Sequence, residues 1–271
     1  MATRPDTNPG STGTDSTTAP VHHFGWIPDK PDQRDHYFAV PRGAMVAPPA
    51  SVDLRSQCPP IYDQGQLGSC TANGISAAIH FDRMKQQLTP DFIPSRLFIY
   101  YNERVMENTV NSDAGAAIRD GIKSVAQQGD CPETEWPYDI SQFANKPASK
   151  CYKDARKYKA VQYQAVMQIL SQMKGCLASG YPFVFGFTVY ESFESQQVAQ
   201  TGLVPMPGQT EKVLGGHCVV AVGYDDSQQR FIVRNSWGTG WGLQGYCTMP
   251  YAYLADANLS SDFWTVRLMS H

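Results

Sequence analysis

No stretch of the 271-residue chain is long and apolar enough to cross a bilayer. The run Tyr181 to Tyr190 is short and ends at Glu191, against the roughly 18 to 20 uninterrupted apolar residues that a helical span needs. A membrane-spanning helix is therefore not expected. Nor is there an excess of one charge sign: 22 Lys and Arg face 25 Asp and Glu, with no long basic run. The electrostatic footprint for nucleic acid or an anionic surface is missing. The first twenty residues, MATRPDTNPGSTGTDSTTAP, lack the apolar centre of a secretory leader. A cytoplasmic location is the expectation from that, or a secreted one if the chain begins after a removed leader. Close Cys and His spacings of the metal-ligand kind are also lacking, so no metal and no cofactor is expected.

Present instead is enough apolar material, 42% of residues, to build one large domain or two intimate subdomains. Residues 1–20 are rich in Ser, Thr, Pro and Gly with few large apolar groups, and read as a disordered tail. Residues 21–50 place Phe24, Trp26, Tyr37 and Phe38 among prolines and charges, an extended segment that clings to the body. From Ser51 onward the texture is that of a domain. The first half reads as helical: Thr71 to Gln87, with Ser69 placed to cap it, then Phe98 to Val105, then Ala116 to Ala126 closed by Gly129. A further helix is expected over Val166 to Leu177. The second half reads as sheet, with short β-branched and aromatic runs at Phe183 to Val189, Cys218 to Val222, Phe231 to Arg234 and Tyr246 to Met249.

Seven cysteines leave at least one thiol free if the rest pair. Cys58, Cys131, Cys151, Cys176, Cys218 and Cys247 could form up to three bridges or stay as thiols, and the sequence does not choose. Cys70 is distinguished by its place. A thiol of ordinary pKa is mostly protonated at neutral pH, whereas the thiolate is the nucleophile. The start of a helix, with its unpaired N–H groups, favours that anion, and a nearby histidinium favours it more.

Of six histidines, His22, His23 and His36 fall in the amino-terminal stretch, His80 falls along a helix and His271 is terminal. His217, in GGHCVVAVGY, stands at the head of an apolar strand behind two glycines and is the base this pattern favours. A lone histidine beside a strand is otherwise usually structural. Asn235, in RNSWGTGWGLQGY, follows the strand FIVR and offers an amide oxygen that can fix an imidazole tautomer without adding charge. Trp237 could shelter that bond from water.

The blocks YDQGQLGSCTANG, GGHCVVAVGY and NSWGTGWGLQGY, in that order, resemble the active-site blocks of papain-like cysteine peptidases, most closely the bacterial members. The likeness runs from about Ser51 to Leu268 and takes in WPY at Trp136 to Tyr138. His217 and Asn235 lie 147 and 165 residues beyond Cys70, against about 130 to 150 for the papain group, which implies a modest insertion. The chain departs from plant and lysosomal members in having Leu67 and Thr71 where they carry Cys and Trp beside the nucleophile.

That resemblance implies an α+β papain-like fold over residues 51–271, with a helical subdomain packed on a barrel-like antiparallel sheet and a cleft between them. It implies a hydrolase: a thiol endopeptidase with a catalytic triad, acting on peptides or proteins as a monomer. Cys70 would attack the scissile carbonyl, His217 would protonate the leaving amine, Asn235 would hold the imidazole, and Gln64, six residues before Cys70, would donate to the oxyanion. Gly115 resembles the glycine whose main chain pairs with substrate, and Gly186, Gly216 and Cys218 fall at pocket-lining positions. Residues 21–50 lie where relatives carry an inhibitory pro-segment. Being much shorter, this segment is read as packing on the body permanently in preference to acting as a zymogen cover. Acyl transfer or ligation by the same triad is the alternative chemistry, and a non-catalytic papain-fold binding protein the alternative class.

Overall fold

The computed structural model describes residues 22–41, 48–159 and 161–268, so the reading of residues 1–20 as a disordered tail lies outside the described residues. Seven α-helices occur among them: α1 Cys70–Lys85, α2 Arg96–Glu107, α3 Ile118–Gln128, α4 Ser149–Ala155, α5 Leu170–Ala178, α6 Gln196–Thr201 and α7 Tyr251–Ala255. The strands are β1 Ser51–Asp53, β2 Val161–Ala165, β3 Phe183–Tyr190, β4 Val213–Asp225, β5 Arg230–Arg234, β6 Tyr246–Pro250 and β7 Ser260–Leu268. All pair antiparallel in one sheet, in the order β2-β7-β3-β4-β5-β6, with β1 added to the end of β4. The fold is α+β, with helices gathered in the first half of the chain and sheet in the second.

Helix α1 is the hinge between the two. Its residues from Cys70 to Arg83 are all buried, so it shows almost no amphipathic pattern, as expected of a helix covered on every side. Gly74 makes close packing possible there, because a β-carbon on it would stand 3.2 Å from both the Cys218 sulfur of β4 and Val184 of β3. Helices α2 and α3 are amphipathic by contrast and pack beside α1. The aromatic interior of the sheet side is built from alternate residues of β3, with Phe183, Phe185 and Phe187 fully buried and Phe185 stacked on Phe263.

Some sequence expectations shift. Val166 to Ile169 is not helical, and α5 begins at Leu170. Val166 instead donates its N–H to the Phe263 carbonyl, extending the edge of the sheet. The strand expected at Cys218 to Val222 runs much further, because Val213 to Gly216 pair with β3 as well. Strands β1, β2 and β7 were not foreseen. Ser69 holds the position before α1, but its side chain makes no capping bond to the helix backbone. All seven cysteines are free thiols.

Candidate active site

The start of α1 and the near end of β4 meet at Cys70, which is fully buried. Its sulfur lies beside three backbone N–H groups, those of Cys218, Gly25 and Thr71. His217 precedes Cys218 on β4, so the strand that supplies an N–H to the sulfur also carries the imidazole. The His217 Nε2 is 2.8 Å from Asn235 Oδ1. An amide oxygen can only accept, so Nε2 carries the proton and Nδ1 has the lone pair. That Nδ1 is buried and without a hydrogen-bond partner. Trp237 stacks on the imidazole at 4.8 Å between ring centroids, and Phe187 and Phe193 close in on it.

Gln64 is also fully buried, with its amide fixed at both ends. Its Oε1 accepts from Ser236 Oγ at 2.6 Å, and Nε2 donates to the carbonyls of Leu67 and His23 at 3.0 and 3.1 Å. Ser236 further donates its N–H to Asn235 Oδ1 at 2.8 Å, so one residue orients both amides. Tyr138 braces the same turn: its hydroxyl donates to the Gln64 carbonyl at 3.0 Å and accepts from Ser69 Oγ at 2.5 Å. Neither Ser236 nor Tyr138 was singled out from sequence. The adjacency of Ser236 to Asn235 and the WPY motif were the available signals.

The other residues named from sequence fall less uniformly. Gly115 has a left-handed φ of 73°, and its N–H is 3.3 Å from the Tyr100 hydroxyl. The main-chain pairing seen in the groove is made by the next residue, Ala116. Gly186 and Gly216 both lie against Trp26, which occupies the space a β-carbon on either would need. Cys218 turns its thiol against Gly74 of α1 and contributes its backbone N–H to the site.

The groove is occupied by residues 22–29 of the chain itself. His22 stacks on Trp237 at 3.7 Å and pairs with Glu194 at 3.0 Å. The His23 carbonyl takes the Gln64 amide, and Phe24 sets its edge to His217 at 6.2 Å. Gly25 passes directly over Cys70: its carbonyl accepts from Ala116 N–H at 2.7 Å, and a β-carbon there would be 1.7 Å from the Gly68 carbonyl oxygen. Trp26 donates its N–H to the Gly216 carbonyl at 2.9 Å and lays its ring over Gly186, where a β-carbon would be 1.9 Å from the indole. The indole N–H reaches Asp262 at 3.0 Å, and Asp29 N–H reaches the same oxygen at 2.8 Å. Asp29 in turn accepts from Trp264 Nε1 at 2.8 Å and Arg119 N–H at 3.1 Å.

This cover decides the charge state beneath it. Burial pushes the Cys70 thiol up to about 12 and holds His217 down at about 4. A neutral thiol and a neutral imidazole are the stable forms while both are cut off from water.

The site is that of a thiol hydrolase, and the comparisons agree with it. A family model described as papain family cysteine protease matches residues 48–263, so the chain belongs to the papain family of cysteine proteases. Xylellain, a cysteine protease from Xylella fastidiosa, is 45% identical with a TM-score of 0.86, covering 92% of this chain and 97% of its own. An uncharacterized peptidase C1-like protein of Acanthamoeba polyphaga mimivirus is 43% identical over 93% of this chain and 88% of its own length. Cathepsin B-like CP3 of Giardia intestinalis is 30% identical over 77% and 72%. The protein is a papain-like cysteine peptidase that hydrolyses peptide bonds in peptide or protein substrates, and the resemblance to bacterial members holds.

The depressed imidazole has a consequence for stability. Its folded pKa of about 4 lies below the ordinary 6.5, so between those values the unfolded chain binds a proton that the folded one refuses. The contribution is intact above 6.5 and lost as pH falls, by up to about 3 kcal/mol at the lower end. Urea unfolding of the wild type against His217→Gln, at pH 7 and pH 4.5, should show a steeper loss for the wild type. Equal losses would mean that His217 is not held neutral.

Proposed function

We propose that Cys70, His217, Asn235 and Gln64 carry the hydrolysis, and that residues 22–29 keep the monomeric enzyme latent until they are displaced or removed. The observation that carries the first part is the paired orientation of His217 and Gln64 through Asn235 and Ser236. With Nε2–H committed to Asn235, Nδ1 takes the thiol proton. The sulfur then attacks the scissile carbonyl, and the oxygen that becomes negative takes the Gln64 N–H now given to His23, together with the Cys70 backbone N–H. The imidazolium returns its proton to the departing amine as the C–N bond breaks. Water, deprotonated by Nδ1, cleaves the thioester and frees the acid. The acyl-enzyme permits transfer to other amines, but the papain family match and the likeness to the cysteine protease xylellain favour hydrolysis.

Ser236 acts through Gln64 and Asn235 and is a positioning residue. Ser236→Ala leaves the glutamine amide free to turn, and a lost orientation of this kind removes about 1 to 2 kcal/mol of barrier lowering, or roughly 5- to 30-fold in kcat. Steady-state kinetics should show that loss in kcat with KM little changed. A rise in KM alone would give Ser236 a substrate-binding role instead.

Latency is supported by the atoms that the segment occupies: the oxyanion donor, the imidazole face and the pocket at Gly186 are all taken at once. Gly25 is the position where no side chain fits. Gly25→Ala forces overpacking worth about 1 to 3 kcal/mol against backbone, so the uncovered fraction rises roughly 5- to 150-fold. An epoxide thiol-protease inhibitor, followed by intact mass, should then form its single adduct on Cys70 faster by that factor. A Gly25→Ala protein labelled as slowly as the wild type would show that residues 22–29 are not what shields the thiol. No adduct in either protein, under reducing conditions, would remove Cys70 as nucleophile.

Once uncovered, the pocket that held Trp26 retains the carboxylate of Asp262 without two of its N–H donors. A side chain bearing N–H groups, such as Lys, Arg or Trp, answers that need best. Peptide-library profiling of the uncovered enzyme should favour those residues at one position, and Asp262→Asn should flatten the preference for the cationic pair. An unchanged profile would exclude Asp262 as the determinant.

A further inference from the structure

Away from the cleft, Cys131 and Cys151 meet in a small cluster with Phe98 and Ala155, all four side chains buried. The Cys151 thiol lies beside Cys131 and helps to raise its pKa, and Cys151 Sγ also lies 3.7 Å from the Glu135 carbonyl. The remaining cysteines stand elsewhere: Cys58 beside Tyr246 and Arg234, Cys176 beside Thr265 and Arg267, Cys247 beside Arg230, and Cys70 with Cys218 at the site. Two cysteine side chains packed into the same four-residue cluster satisfy the close approach a disulfide requires without a large movement of backbone.

We propose that Cys131 and Cys151 form a disulfide in an oxidising environment, a cross-link that closes the loop between α3 and α4. The oxidant is a low-molecular-weight disulfide such as oxidised glutathione. One cysteine thiolate attacks it and expels a glutathione thiolate. The second cysteine then loses its proton and attacks the mixed disulfide, expelling the other. Two protein thiols are oxidised, one glutathione disulfide is reduced to two thiols, and protons balance. Burial disfavours the thiolate, so exchange proceeds while the chain folds or when the cluster opens.

The closed loop bears on the active site through Tyr138. Residues 132–150 carry Tyr138 against Gln64 and Ser69, and Glu133, which holds Arg96 at 2.8 Å. Arg96 in turn donates to the Asp63 carbonyl and to Asn73 Oδ1. Tying both ends of this loop restrains the brace under the oxyanion turn. For a loop of this length the restraint on the unfolded chain corresponds to a rise in Tm of roughly 5 to 10 °C.

The full chain carrying Cys70→Ser, which cannot digest itself, is the material for the test. It is refolded in oxidised glutathione or in dithiothreitol, alkylated under denaturing conditions, digested and mapped by mass. The expected result is a Cys131 to Cys151 linked peptide in the oxidised sample alone, a Tm higher by the stated shift, and no shift when Cys151→Ala is added. Both thiols alkylated as fully as Cys176 and Cys247 after oxidative refolding would overturn the proposal. So would a different pairing, or a linked form with a lower Tm than the reduced one, which would mark the bond as foreign to this fold. Mapping of the parent chain decides the matter even if the Cys151 variant does not fold.

Discussion

Desolvation of one sulfur and one imidazole governs this molecule. The chemistry needs a thiolate and an imidazolium, two ions side by side, while the fold as it stands encloses Cys70 and His217 with no access to water. Burial drives both toward their neutral forms, the thiol up to about 12 and the imidazole down to about 4. Among the described residues no carboxylate partners the imidazole, which is oriented by the Asn235 amide. The charge state of the pair is thereby delegated to whatever fills the groove. With residues 22–29 in place the site is a packed core; in the latency proposed above, their removal would open it to water, where the two ions could stabilise each other.

The cover is matched to the machinery at the level of atoms. Gln64 gives its amide to the His23 carbonyl, Gly216 and Ala116 give their main chain to Trp26, Gly25 and Ile27, and Asp262 takes the Trp26 indole. In the function proposed above, a polypeptide substrate would engage the same groups. Its bridge to Ala116 is parallel. Beyond the groove the segment continues to Asp29, Asp32 and Asp35, gathered around Arg119, and bridges to the edge strand β2 at Tyr37. Phe38 and Val40 then join the core. The segment is thus anchored at its far end, while over Cys70 it is held by hydrogen bonds and by Trp26, which joins the core.

What the sequence disclosed was what lies close along the chain. Cys70 at a helix start, His217 before an apolar strand and Asn235 after another were legible because local pattern places each on its element. The groups that make them work are non-local. Ser236 meets Gln64 across 172 residues, and Trp26 meets Asp262 across 236; no periodicity reports such pairs. Strand β4 was read too short because Val213-Leu214-Gly215-Gly216 looks like a loop, yet its glycines are what admit Phe24 and Trp26 to the groove. Ser69 was read as a helix cap by its place, but tertiary structure claimed its hydroxyl for Tyr138.

Thr71 shows how a departure from the plant and lysosomal pattern is absorbed. Its hydroxyl donates to Glu103 at 2.7 Å, and that carboxyl is fully buried with its other oxygen unpartnered. A charged carboxylate here would oppose a thiolate one residue away on α1. Burial raises the Glu103 pKa well above its ordinary value, which favours the neutral acid and so weakens its opposition to a thiolate at Cys70. The small side chain at position 71 makes room for this arrangement, with Gly121 packed against Glu103 from α3. A bulky aromatic at position 71 would displace the carboxyl, and with it the packing of α2 and α3 behind Cys70.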